Sequence, residues 1–328
     1  MPQTALNLTD FLQPLIKLYI QLGGGVLLGW ILGHWLPKSV PVLIGQFLFW
    51  IGVPISIITF LRRADLSGAI WIAPMVAWTA ILLGAGLAWA WMQRYSLSGS
   101  AKAPDRSSIN SWSRPAQGSF LLSSMVGNTG YLGFPITLTL VGEKYFGWAL
   151  FYDMLGTTIG AYGLGVLLAA RFGQEAQNYG QLTRSLLQNP ALWSLGFGLG
   201  FRQIPLPGGV ERILQGLAWS AIALSLILIG MRLSQLTSWR RLRQAGVSLG
   251  IKMLLVPFVL GLGLLGLGIT GAPQLVIVLQ MAMPPAFATL VLAEVYDLDR
   301  DLTVTALAVG STGLLLTLPI WLLLFGHQ

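Results

Sequence analysis

The chain of 328 residues has no cysteine, two histidines and few charges: Asp, Glu, Lys and Arg together make up 9%. An ordinary soluble domain devotes about a quarter of its residues to those four. Without thiols, disulfides and thiolate metal sites are excluded. The histidines, His34 and His327, sit at segment ends, which also excludes paired-histidine haem ligation. No cofactor is expected. Acidic residues number 11 against 19 basic, for a net charge of +8. In a soluble protein that excess would suggest nucleic acid. Here the basic residues lie in short loops between apolar runs, so they read as topology signals and no nucleic-acid partner is expected.

What the chain does have is hydrophobic length. Apolar residues make up 55%, and the mean hydropathy is +0.72. A helical span needs roughly 20 apolar residues, and ten such segments fit: Leu12 to Leu36, Val42 to Leu61, Ala69 to Met92, Ser119 to Val141 and Phe146 to Ala170, then Leu186 to Phe201, Val210 to Leu233, Ala245 to Gly268, Pro273 to Tyr296 and Leu302 to Phe325. The expected fold class is an all-α polytopic membrane protein. MPQTALNLTD has no basic region before its apolar stretch, so the first span is expected to remain in the mature protein. Loops after odd-numbered spans hold twelve Lys and Arg residues and the opposite side five, with Lys17 and Lys252 inside spans. The positive-inside bias puts both termini outside the cytoplasm of a plasma (inner) membrane. The Ser-rich loop 93–118 reads as a flexible cytoplasmic connector whose basic residues set orientation or bind phospholipid.

Five spans per half is an odd number, so related halves would have opposite topology. Pro14 and Pro190 are 176 residues apart, and Ile70 and Val247 are 177 apart, while Pro135 and Pro285 are separated by 150. The long loop after the third span, nearly absent after the eighth, accounts for the shortfall. Inverted repeats are typical of secondary transporters, whose sites form at mid-membrane where paired helices are broken.

Two segments look broken. The fourth span contains Gly127-Asn128-Thr129-Gly130 and Gly133-Phe134-Pro135; the ninth contains Met283-Pro284-Pro285-Ala286. Interior Gly costs about 1 kcal/mol and Pro about 3, and lipid offers no water to the freed backbone groups, so such stretches must line a protein cavity. Half-helix N-termini aimed at a shared pocket would favour an anion, with Asn128 and Thr129 as added donors. Carbonyls at the breaks could hold sodium. Isolated Pro and Gly kinks are the plainer alternative for either segment alone.

These residues carry a resemblance. Asn128-Thr129, Gly133 and Pro135 have the spacing of the fourth segment in PIN-type proteins, and Ala282, Pro284, Val291, Ala293 and Tyr296, followed by Leu318-Pro319-Ile320, match the ninth. Asn189-Pro190 and Tyr152-Asp153 look like bacterial members. Over nearly its whole length the chain resembles the auxin efflux carrier family, which includes plant PIN proteins and bacterial organic-acid permeases. The resemblance implies a ten-span crossover fold, NhaA- and bile-acid-transporter-like, built from two inverted five-helix repeats. It implies a scaffold domain of residues 1–68 and 186–244, able to form a homodimer, and a transport domain of residues 69–171 and 245–328, with 172–185 linking the repeats. The implied activity is elevator-type transport, in the efflux direction, of small carboxylates across the bilayer. The substrate site would comprise Asn128, Thr129, Gly130, Pro135, Pro284, Pro285 and Ala286. Gly127 stands where PIN proteins have a crossover proline, and Arg62-Arg63 is a second departure.

Asp153 lies about seven residues into the fifth span, where a charge costs about 2.5 to 3.5 kcal/mol. It reads either as a proton-coupling or supporting carboxylate or as a shallow interfacial cap. Lys17 and Lys252, each within two turns of a span end, are expected to snorkel to the headgroups. Glu294, Asp297, Asp299 and Asp301 read mostly as a solvated loop, and Trp35, Trp71, Trp91, Trp148, Trp239 and Trp321 as interfacial anchors. Gly25, Gly29 and Gly33, like Gly156 and Gly160, form smooth faces that either pack statically or slide. No enzyme is expected: Ser311 has no histidine near mid-membrane, and an aspartyl protease needs two deep carboxylates where only Asp153 is found. A channel or a sensor on a transporter fold stands as the alternative to a carrier.

Overall fold

The computed structural model describes residue 16 and residues 19–98, 112–173, 187–235 and 240–326. Pro14, Lys17, Trp239, His327, half of the loop 93–118 and nearly all of the linker 172–185 lie outside the described residues. We number the helices α1 (Gly24–Trp35), α2 (Ser39–Arg63), α3 (Ile72–Ser98), α4 (Arg114–Met125), α5 (Phe134–Leu140), α6 (Glu143–Phe172), α7 (Pro190–Phe201), α8 (Gly208–Ser234), α9 (Leu242–Gly266), α10 (Ala272–Met281), α11 (Phe287–Val295) and α12 (Arg300–Phe325). No strand occurs among the described residues. Six helices, α2, α3, α6, α8, α9 and α12, are long and apolar enough to cross a membrane. The fourth and ninth expected spans are each divided in two, as α4 and α5 and as α10 and α11.

Proline shapes the helices from within. Three π turns, Leu48–Gly52, Thr129–Gly133 and Gly250–Leu255, are each followed within two residues by a proline: Pro54, Pro135 and Pro257. A proline ring clashes with the carbonyl four residues back, and a local widening of the helix relieves that crowding.

The helices pack in two groups. Helix α1 lies along α8, and α2 lies against α7 and α8, whereas α3, α4, α6 and α9 to α12 pack on one another. The groups meet where α5 and the π turn before it face α8, and where α6 faces α2 and α7. Both glycine stripes lie inside a group. A Cβ on Gly29 would overlap the Ile227 carbonyl of α8, and one on Gly156 would overlap the Ala77 side chain of α3. Their role is close helix packing, not a sliding boundary.

Loop ends are tied by caps and ion pairs. Arg62 donates to the Phe201 and Ile204 carbonyls at the end of α7, each at 2.8 Å, and Arg202 returns a bond to Ala64 O at the end of α2. Arg63 pairs with Glu143 at 3.2 Å and Glu211 at 3.8 Å. Between α2 and α3, hydrogen bonds from the Ser67 side chain and amide hold the exposed Asp65 carboxyl below its ordinary range. Two expectations hold only in part. Asp299 is not a solvated loop residue: it pairs with Arg241 at 2.8 Å and caps α12 by accepting from Leu302 N. Trp148 and Trp321 are core residues, while Trp35, Trp71 and Trp91 are exposed as anchors should be. An indole in the middle of a packed layer fills volume that several smaller side chains would otherwise need.

Candidate functional site at the junction of two broken helices

The two breaks meet. Gly127 and Pro285 form an isolated antiparallel bridge, in which Asn128 N donates to Pro284 O at 2.7 Å and Ala286 N to Val126 O at 3.1 Å. Asn128 O in turn accepts from Leu132 N and Gly133 N. Backbone groups that lipid could not satisfy thus satisfy one another.

Proline leaves further carbonyls without their helical donor, and side chains take them up. Four residues before Pro285 is Met281, whose carbonyl accepts from Lys252 Nζ at 2.6 Å. Four before Pro319 is Leu315, which accepts from the Tyr19 hydroxyl at 2.5 Å. Four before Pro135 is Tyr131, which accepts from Ser225 Oγ at 3.3 Å. Lys252 therefore does not snorkel. It is 3% exposed, and its Nζ would stand 3.1 Å from a Cβ placed on Gly127. The carbonyl that Pro285 frees gives the Lys252 Nζ an acceptor inside the protein, beside the C-terminal ends of α4 and α10.

A cavity of about 150 Å³ adjoins the junction. Its walls include Asn128 to Tyr131 from the first break, Asp153, Thr157 and Tyr162 from α6, Ala286 to Ala288 from the second break, Phe49 and Val53 from α2, and Asn189 and Ala191 at the start of α7. Of the sequence-predicted residues, Asn128, Thr129, Gly130, Ala286 and Asp153 come together in these walls. Pro135, Pro284 and Pro285 do not line the cavity. The tandem prolines pack instead against Gly310 of α12, where a Cβ would approach them to 3.0 and 3.1 Å.

Asp153 is 5% exposed and lies among protein side chains. Its carboxylate accepts from the Thr129 hydroxyl, so that proton is committed inside the site. Asn128 Nδ2 is buried and has no partner. The first amides of α11, at Phe287 and Ala288, fall within the cavity wall and precede any intrahelical partner. The arrangement offers an acceptor-bearing ligand the unpartnered Asn128 amide, the Asn189 amide and the N-terminal ends of α11 and α7, beside a single buried carboxylate. Among the described residues no group of three or more His, Asp or Glu could hold a metal ion. Ser311 lies elsewhere, in the lining of a second, apolar cavity between α1, α5 and α12.

Sequence reasoning missed the α2 wall and Tyr162, because an apolar or aromatic residue in a span gives no sign of facing a cavity. Lys252 had a signal: a lysine in a span whose upstream and downstream neighbours are all apolar.

A family model described as membrane transport protein matches residues 11–322. The chain belongs to that family, the auxin efflux carriers. An uncharacterised transporter of Methanothermobacter thermautotrophicus is 28% identical over 274 residues, covering 83% of this chain and 84% of the relative. Another, from Methanocaldococcus jannaschii, is 28% identical over 215 residues, covering 62% of this chain and 67% of the relative. As a family member the protein is a multi-pass membrane transporter handling a small solute within the bilayer, and the family is one of transporters, not of enzymes.

Proposed function

We propose that this transporter is a secondary carrier of small organic anions, which bind at the junction of the two broken helices. The observation that carries the reading is the unpartnered Asn128 Nδ2 beside the α11 N-terminus in one cavity. Both features suit a carboxylate oxygen. Ten spans arranged as two inverted halves, with both termini outside the plasma membrane, fit the broken pair and the distribution of basic loops. The separate packing of α1, α2, α7 and α8 supports a scaffold of 1–68 and 186–244, the part that would dimerise. Against it residues 69–171 and 245–328 would move as an elevator, in the efflux direction.

Asp153 adds a condition. A carboxylate ligand beside an ionised Asp153 places two negative charges in a poorly solvated site, and like charges there are relieved by holding a proton. Anion binding then takes up a proton through Asp153, and transport is proton-coupled. Thr129 positions Asp153, while Asn128 contacts the ligand.

The test is thermal stabilisation and radioligand binding of purified protein with acetate, malonate and indole-3-acetate across pH. A ligand that binds only the folded state raises its stability. Stabilisation by an acid is expected to strengthen as pH falls, to vanish in Asn128→Ala and to lose its pH dependence in Asp153→Asn. No stabilisation by any of the three acids would turn the assignment toward another solute, a channel or a sensor. An unchanged pH profile in Asp153→Asn would remove the proton step alone.

A further inference from the structure

Outside the cavity, one cation is left without an anionic partner in a place where it could meet the ligand. Arg232 ends α8, and none of the ion pairs among the described residues involves it. Its guanidinium carbon lies 4.8 Å above the centre of the Phe287 ring, and its Nη2 would stand 2.8 Å from a Cβ on Gly45 of α2. Phe287 is a cavity wall residue, and Gly45 is one turn from Phe49, another wall residue. One turn of helix is about 5.4 Å. The guanidinium therefore rests at the edge of the cavity, on a ring belonging to the second break, but is carried by the other packed group.

A half-buried arginine in a membrane protein has two common uses. It can serve as an interfacial anchor with its head in the phosphate layer, or it can bind an anion in the protein interior. The ring beneath it and the absence of a Cβ at Gly45 leave room for this guanidinium between the helices, a setting in which cation–π contact contributes up to about 2 kcal/mol. Its fork of donors stays available at the ring's margin.

We propose that Arg232 is the anion-recognition residue at the cavity mouth, binding the carboxylate as it enters or leaves past Phe287. This rests on the reading of the cavity as an anion site. Asn128 and the α11 N-terminus belong to one group of helices and Arg232 to the other, so an anion touching both joins them. When the groups shift, the anion keeps Asn128 and loses Arg232. Affinity is then higher on the membrane side where Arg232 stands than on the opposite side.

The experiment measures binding of acetate, malonate and indole-3-acetate to wild type, Arg232→Gln, Arg232→Lys and Phe287→Leu in a lipid-free detergent, at low and high ionic strength. The expected result is at least a tenfold weaker binding in Arg232→Gln with a flatter salt dependence, and a partial recovery in Arg232→Lys, which keeps the charge without the planar fork. Phe287→Leu removes the supporting ring and is expected to weaken binding less than Arg232→Gln. If Arg232→Gln does not fold, binding weaker than wild type in both Arg232→Lys and Phe287→Leu supports the proposal, and unchanged affinity in Arg232→Lys overturns it. Adding anionic-lipid vesicles separates the two sources of anion: a phosphate headgroup at Arg232 would compete with the acid in wild type and not in Arg232→Gln. Unchanged affinity in Arg232→Gln, or equal losses with Gln and Lys, overturns the proposal and leaves the cavity reading standing. Failure of wild type to bind any of the acids overturns both.

Discussion

The first break is built on glycine and the second on tandem proline, and the carbonyls that proline frees are taken up from different directions. At the first break Ser225 of α8 reaches Tyr131 O at 3.3 Å, while the same hydroxyl sits 2.7 Å from Ile222 O in its own helix. At the second, Lys252 of α9 donates to Met281 O at 2.6 Å. One bond is long, shared and crosses from one packed group to the other. The other is short, unshared and stays within its group. The difference suits the elevator cycle proposed above, in which contacts across the boundary must be weak enough to break and those inside the moving group must hold.

The largest effect is expected at Lys252. Lys252→Met removes the donor and leaves the Met281 carbonyl buried and unpaired, at a cost of about 1 to 3 kcal/mol. A lower melting temperature in detergent follows. Pro285→Ala restores a backbone N–H near that carbonyl, so the double variant should lose less than the two single variants together, by a coupling of about 1 kcal/mol. Strict additivity would show that Lys252 and Pro285 are not linked through Met281.

The positions of the breaks were legible because Gly and Pro are costly in a helix whatever surrounds them, so Gly127, Gly130, Pro284 and Pro285 signal their geometry locally. Residue burial was less legible. Lys252 and Trp321 read as interfacial from their distance to a span end, yet both lie inside, because that distance says nothing about which face of the helix looks at lipid. The same limit applies to Asp299, whose partner Arg241 arrives from a different helix, and to Phe49, which reaches the cavity only because α2 packs beside it. Asn128 and Asp153 were readable as site residues because a polar group inside an apolar run needs a reason to be there. What the sequence did not carry is that Thr129 spends its proton on Asp153, since that pairing depends on α6 lying beside the first break.

Tyr19 sharpens the comparison at an intermediate size. Its hydroxyl reaches Leu315 O, four residues before Pro319, at 2.5 Å, and so ties the π turn Tyr19–Gly23 that leads into α1 to α12 across the group boundary. Tyr19→Phe removes a bond that contributes about 1 kcal/mol without touching the cavity. If the bond is made in only one state of the cycle, its loss shifts the balance between states by about fivefold. Counterflow in proteoliposomes should then change rate while the dissociation constant of a bound acid stays fixed. An equal change in both would tie Tyr19 to the binding site and erase the distinction between boundary and interior bonds.

Ser225 should give the smallest effect of all. Ser225→Ala loses a hydroxyl whose closer acceptor is Ile222 O, so the Tyr131 carbonyl forfeits only the weaker half of a shared donor, worth less than about 0.5 kcal/mol. The Ser225→Ala melting temperature should therefore stay close to wild type, with the shift well below that of Lys252→Met. Because Ser225 and Tyr19 act on carbonyls in different helices, their effects on counterflow should add. A fall in melting temperature as large as that of Lys252→Met would mean that the first break depends on α8 as heavily as the second depends on α9. In that case the boundary between the two groups could not open at the first break without unravelling it, and the helix groups would have to move together.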